Sequence, residues 1–402
     1  MLKKNINWRK LKVTSRYKKL LMKKRMIALS LAFLKLGFTA FGGPAAAYAM
    51  MRQEFVTRRK WISEETFFDF LGIANLVPGP NATEMAILIG YHHAGWLGLI
   101  LAGASYVVPA MLIVLGFSWA YIQFGTLPAL EGVLFGIKPV VVAILISAMW
   151  GMLKPRLKQH IGLGIVAAVF IAYLLGINPV ILLAAGGLLM GLFTYLQHAD
   201  GNLPLLLLWL PNQSPLHTYF VTAQKTPFNL SRLFLVFLKA GALMYGSGYV
   251  LLAFIHDDLV IRLGWLTNSQ LVDAIAIGQV TPGPLSTTAT FVGYLLGGVP
   301  AAILATLAMF LPSFVFVGVV YSLVNKIRQS AQFSGVLDGV NFAALGLMAG
   351  VTWEIVGESL VDPITAGIAM LTLFLLLRYK INAPWLIFGG GVVGFLWQII
   401  SG

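Results

Sequence analysis

Ten apolar stretches run through this chain, near residues 27–51, 96–122, 132–150, 161–176 and 178–197, then 232–255, 299–322, 334–353, 363–378 and 381–400. Each approaches the roughly 20 residues that cross a bilayer as a helix. Inside hydrocarbon no water satisfies the peptide groups, so a spanning segment is either a helix or a strand of a closed barrel. The ten-residue alternation of barrel strands is absent. An all-α integral membrane protein with about ten transmembrane helices is therefore expected. With 58% hydrophobic and 10% charged residues and a mean hydropathy of +0.85, no large soluble domain is left over.

The stretches fall into two series because the sequence repeats itself. Displaced by 204 residues, Phe33-Leu34-Lys35-Leu36-Gly37 meets Phe237-Leu238-Lys239-Ala240-Gly241, Trp61 meets Trp265, Asp69 meets Asp273, and Pro78-Gly79-Pro80 meets Pro282-Gly283-Pro284. After one deletion the register is 203, and Gly90-Tyr91 meets Gly293-Tyr294, Pro109 meets Pro312 and Trp150 meets Trp353. The organisation read from this is a basic tail over 1–25, a first repeat over 26–197, a linker over 198–231 punctuated by prolines, and a second repeat over 232–402.

Loop charge orients one repeat against the other, since basic loops stay cytoplasmic. Arg52, Arg58, Arg59 and Lys60 with Glu54 leave +3, and the matching Asp257, Asp258 and Arg262 leave −1. Lys154, Arg156 and Lys158 give +3 against −3 from Glu354, Glu358 and Asp362, while Glu131 stands against Lys326 and Arg328. Every pair changes sign, which predicts an inverted repeat, an architecture common among secondary transporters. The tail carries eleven Lys and Arg residues and no acid, a pattern suited to anionic lipid and a cytoplasmic location rather than to nucleic acid. No cleaved signal peptide is expected. One conflict arises. If 27–51 crosses once, the tail and the Arg58 loop lie on opposite sides; a segment that turns back at its glycine-rich break removes the conflict.

The Pro-Gly-Pro tripeptides interrupt apolar pieces too short to span. Proline removes a donor and blocks the preceding turn, and glycine supplies freedom at the break, so half-helices meeting inside the protein are expected in each repeat. Asn81 and Thr83 after the first break, and Ser286 and Thr287 after the second, stand where unpaired N–H groups and the helix dipole favour an anion. Asn75 and Gln279, which open the two stretches, are counted with this site, as are Lys35 and Lys239, matched lysines inside apolar stretches. Such lysines either snorkel to headgroups or line an anion path, and the second reading is favoured because the pair recurs. Glu84 fits a capping box with Asn81, or a proton-coupling carboxylate; its counterpart is Thr288, so its role is not symmetric. Gly132 with Gly136, and Gly335 with Gly339, predict close helix packing.

The segments LKLGFTAFGGPAA, FVTRRKWISEETFFDFLGIANLVPGPNATEMAILIG and GQVTPGPLSTTATFVGYLLGG strongly resemble the chromate ion transporter family, in its long two-domain type, across both halves. The resemblance implies a bacterial inner-membrane, multi-pass protein that exports chromate and resembles a fusion of two units of opposite orientation. Family residues map onto Gly42-Gly43-Pro44, Pro78-Gly79-Pro80 and Pro282-Gly283-Pro284. The second copy reads Gly246-Ser247-Gly248 at the first motif, without the proline, which leaves open whether both first helices break alike.

Enzymatic readings find no support in the residues. There is no cysteine, which excludes disulfides, thiolate metal sites and thiol catalysis; the six histidines lack zinc-ligand spacing; and no P-loop is present. No cofactor or metal is expected. A homo-oligomer is compatible with the sequence, and the driving force is read as the proton gradient or a counter-anion. Transport of sulfate or another oxyanion, and a passive anion channel, remain as alternatives.

Overall fold

The computed structural model describes residues 15–41, 43–125, 127–198, 227–245, 248–327 and 331–401. Gly42, Gly246, Ser247, most of the linker and the first 14 residues of the tail lie outside them. Every described element is helical. The first repeat comprises α1 (Ser15–Thr39), α2 (Gly43–Arg52), α3 (Glu64–Ala74), α4 (Asn81–Phe124), α5 (Pro128–Leu153), α6 (His160–Leu174) and α7 (Pro179–His198). The second comprises α8 (Leu230–Leu243), α9 (Val250–Ile255), α10 (Asn268–Val280), α11 (Thr288–Ile327), α12 (Ala331–Ser359), α13 (Pro363–Tyr379) and α14 (Ala383–Ser401).

The two series agree in small features as well as in order. A π-helical stretch follows α2 at Gln53–Arg58 and α9 at His256–Arg262. Ser63 caps α3 by accepting from the Thr66 N–H, and at the matching position Thr267 caps α10 in a capping box with Gln270. Helix α4 turns at Ala94 and Gly95 (φ −145° and +62°), and α11 turns at Gly297 and Gly298 (φ −157° and +66°). The positive φ at each second residue is why glycine stands there.

Two pairs of rings show how the chain runs before those turns. Phe33 on α1 and Phe55 beyond α2 have ring centroids 4.8 Å apart, and Phe70 on α3 lies 5.4 Å from His92 on α4. Partners 22 residues apart on a straight helix would be separated by about 33 Å. Each segment therefore goes in and comes back, with its break at the tip. The stretch 27–51, expected as a span, is a re-entrant hairpin that holds both limbs, and so is 232–255, where Lys239 on α8 pairs with Asp258 beyond α9. The missing proline in the second copy does not prevent the break: α8 ends at Leu243, and α9 begins at Val250. A hairpin brings the chain back to the face it left, so α1 begins on the same face as the Arg58 loop. The conflict between them disappears.

Four apolar helices per repeat remain. Among the described residues six are able, by length and composition, to cross a membrane, within 81–124, 130–156, 179–197, 285–319, 334–359 and 383–400; 160–174 and 363–379 are apolar but shorter. Their contacts run between the repeats. Helix α5 packs on α13 and α14, and α12 packs on α6 and α7. A Cβ added at Gly136 would overlap the Gly390 carbonyl, and one at the matching Gly339 would overlap the Gly186 carbonyl, so the small-residue spacing does mark close packing, across the repeats.

Matched helices run antiparallel. Gly103 of α4 faces Phe314 of α11, and Trp96, seven residues earlier in α4, faces Gly318, four residues later in α11. Met149 Sδ and Thr352 Oγ1, counterparts in the two repeats, lie 3.6 Å apart; residues that touch their own counterparts lie near the axis relating the repeats. The halves are thus inverted, as the loop charges require. Glu131 and Glu358 line one cavity on one face; α5 carries the chain from Glu131 to Lys154 and Lys158 on the other face, and α13 carries it there from Glu358 to Lys380.

The basic face is expected to be cytoplasmic. In a chain that has no cysteine, Lys158→Cys should react with an impermeant maleimide only in inverted vesicles, and Glu358→Cys only from outside whole cells. Labelling of both from one side would contradict the inverted arrangement.

Candidate functional site

The hairpin tips of the two repeats meet and complete each other's backbone. Gly79 N–H donates to the Met244 carbonyl at 2.6 Å, and Gly283 N–H donates to the Ala40 carbonyl at 2.9 Å. Ala40 and Met244 are themselves counterparts, the residues at which α1 and α8 break off. The middle residue of each Pro-Gly-Pro thus bonds to the break in the other repeat. Both glycines have positive φ, +145° and +100°, which permits the sharp tip. The Tyr245 hydroxyl adds a third tie, donating to the Asn75 carbonyl at 2.7 Å.

A cavity of about 460 Å³ lies at this junction. The first repeat lines it with Ala40, Gly43, Pro44, Tyr48, Asn75, Pro80, Asn81 and Ala82, and the second with Gly248, Tyr249, Gln279, Thr281, Gly283, Pro284 and Ser286, among others; Ala148, Gly151 and Met152 of α5 form a wall. None of the described residues that line it is charged. Its polarity comes from neutral dipoles. Asn81 Nδ2 donates to Asn75 Oδ1 at 2.9 Å, and Gln279 Nε2 donates to the Tyr249 hydroxyl at 2.7 Å. Among the described residues the buried Ser286 hydroxyl has only the Met244 sulfur, at 3.9 Å, to donate to. Pro80 and Pro284 precede the helical turns without any side-chain cap, so the first N–H groups of each turn remain for a ligand. Such an array can hold an oxyanion through several donors and discriminates by charge and shape.

Of the residues singled out in sequence, Gly43, Pro44, Asn75, Pro80, Asn81, Gln279, Gly283, Pro284 and Ser286 come together in the lining. Pro78, Gly79 and Pro282 shape the tips behind it, and Gly42 lies outside the described residues. Thr83 and Thr287 are fully buried one layer back, where the Thr287 hydroxyl donates to the Pro284 carbonyl at 2.9 Å. The capping box read over Asn81–Glu84 does not form, because the cap position is Pro80 and Glu84 turns into the core. Lys239 is held by Asp258, and Lys35 lies exposed on α1; neither lines the cavity. Sequence reasoning missed Tyr48, Tyr249 and the α5 wall. The lysine's partner did leave a signal, since Glu54 and Asp258 recur at one repeat position just as Lys35 and Lys239 do.

The chain has relatives among known proteins. The family model described as chromate transporter matches twice, over residues 27–192 and 231–395. The chain is 31% identical to a chromate transport protein of Cupriavidus metallidurans, over 92% of each chain. It is 32% identical to a chromate transport protein of Pseudomonas aeruginosa, over 90% of each. An uncharacterized transporter of Bacillus subtilis is 32% identical over 124 residues, which are 31% of this chain and 70% of that protein. No solved structure matches.

The tips give the two central glycines unequal tolerance. An added Cβ at Gly79 would overlap Glu84 Oε1 and Ser313 Oγ, whereas one at Gly283 would lie 2.9 Å from the Ala110 methyl. Left-handed strain and overpacking together predict a loss of about 3 kcal/mol for Gly79→Ala and about half that for Gly283→Ala. Thermal unfolding in detergent, followed by tryptophan fluorescence, checks the order; a larger shift for Gly283→Ala would refute the tip geometry.

Proposed function

Because the chain belongs to the chromate transporter family, we propose that it exports chromate across a bacterial inner membrane as a secondary transporter, holding the oxyanion between its two Pro-Gly-Pro tips. The observation that carries this reading is the cavity at the junction of four half-helix breaks, lined from both repeats by neutral donors. The dianion is bound by the Asn75, Asn81, Gln279 and Ser286 side chains together with the backbone N–H groups that follow Pro80 and Pro284. Neutral donors suit a carrier, which must release its ion as well as bind it; a fixed lysine in the shell would hold a dianion too tightly. The inverted halves supply two related arrangements of one site, open to one face or the other. The transported ion shares its tetrahedral shape and charge with sulfate, so sulfate is expected to compete. The ion pair of Lys239 with Asp258 fastens the second hairpin rather than supplying charge to the path.

Uptake of labelled chromate into inverted vesicles tests this. A lost hydrogen bond to a charged ligand is worth about 1.5–3 kcal/mol, roughly ten- to a hundredfold in affinity. Ser286→Ala and Asn81→Ala should each raise the apparent KM for chromate by at least tenfold at unchanged membrane abundance, with sulfate inhibiting the parent protein. Unaltered KM in both variants would place the ion elsewhere. Flux that never accumulates chromate against its gradient would mark a channel.

A further inference from the structure

Four acidic side chains are buried among the described residues, and three have evident partners. Glu54 pairs with Arg58 and Arg59, Asp258 with Lys239 and Arg262, and Asp273 accepts from the Tyr121 hydroxyl at 2.7 Å. Glu84 differs. It has no exposed surface, no cation pairs with it among the described residues, Oε2 has no hydrogen-bond partner, and Oε1 receives one long bond, 3.3 Å from Ser313 Oγ. The titratable groups facing it are Tyr48 of α2 and Tyr245 in the break after α8, phenols that cannot neutralise a carboxylate. From α11 it is met by the Ser313 hydroxyl. Burying an unpaired ion is costly, so the form that fits this pocket is the neutral acid.

Its place in the fold matters as much. Glu84 follows Gly79 by five residues, and its Oε1 occupies the space where a side chain on Gly79 would stand. The carboxyl therefore lies against the tip that bonds to Met244, in the same helical turn as Asn81 and Ala82 of the cavity. Packing does not demand an acid there. At the counterpart position the Thr288 hydroxyl is satisfied by the Leu285 carbonyl at 2.8 Å, and Ala110 stands where Ser313 does.

We propose that Glu84 is a proton-binding site of the transport cycle, and that its proton and the oxyanion are bound together and released together, so that each turnover carries one net negative charge and export is driven by the interior-negative membrane potential rather than by the inward proton gradient. The proposal deepens the transporter reading above and rests on it. An ionised Glu84 beside the tip repels an arriving dianion, and the neutral acid does not. Linkage then makes proton and anion each favour the other's binding. The only covalent change is the O–H bond of the carboxyl, formed with a proton from water on the loading face and broken to water on the releasing face. Nothing is oxidised or reduced.

Liposomes containing the purified protein and a luminal pH dye provide the test. Chromate entering down its gradient should acidify the lumen, and an acidic exterior should drive chromate to accumulate inside. Glu84→Gln should reduce that proton-driven accumulation at least tenfold more than it reduces chromate–chromate exchange. Because chromate's own protonation affects both proteins alike, the comparison isolates Glu84. Luminal alkalinisation or constant pH in the parent protein overturns the proposal without any variant. So does a Glu84→Gln protein that keeps proton-driven accumulation, or one that loses exchange and accumulation equally, which would make Glu84 part of the packing or the anion shell. If the parent protein moves no chromate at all, it is the transporter reading that fails.

Discussion

An N–H group in the hydrocarbon core has no water to bond to, and leaving it unpaired costs several kcal/mol. A helix that breaks in the middle of a membrane must therefore find partners for the groups that the break exposes. This protein satisfies two of them reciprocally. Gly79 donates to the carbonyl left open at Met244, and Gly283 to the one left open at Ala40. The first N–H groups after Pro80 and Pro284 have no side-chain cap and belong to residues that line the cavity. The arrangement that makes broken helices tolerable also leaves donors unspent where a ligand can reach them.

Around this centre the halves are interleaved. Each of α5 and α12 is packed by the last two helices of the opposite repeat, through glycine faces where carbonyl meets backbone. In lipid, where apolar surface gains little by hiding from its surroundings, such close approach supplies much of the attraction between helices. The symmetry is incomplete at functional positions. Glu84 and Ser313 at one tip become Thr288 and Ala110 at the other, so the inverted arrangements of the cavity are not energetically equal.

Much of this was legible in the sequence because duplication repeats whatever the fold requires. The tripeptides, the sign reversal of the loops and the paired glycines stand out when the chain is laid on itself. Residues 27–51 read as a span because length and hydropathy carry no sign of direction, and a 25-residue apolar piece that turns at its glycines has the same composition as one that crosses. The lining residues Tyr48 and Tyr249 have Leu252 and Ala45 as counterparts, so repetition gives no hint of them. Glu84 was visible as an anomaly, but its isolation depends on Ser313, 229 residues away, and on no cation pairing with it among the described residues. Long-range contacts of this kind leave no local pattern.

The reciprocal bonds also order events during synthesis. When the first half leaves the ribosome, the donor at Gly79 and the acceptor at Ala40 have no partners, since Met244 and Gly283 have not yet been made. At about 5–20 residues per second the second half follows over roughly 10–40 s. During that interval the first half sits in the bilayer with its breaks unsatisfied and its glycine faces open. Insertion and completion are therefore separate steps for this chain, and the membrane's quality-control proteases meet the unfinished half before the transporter exists.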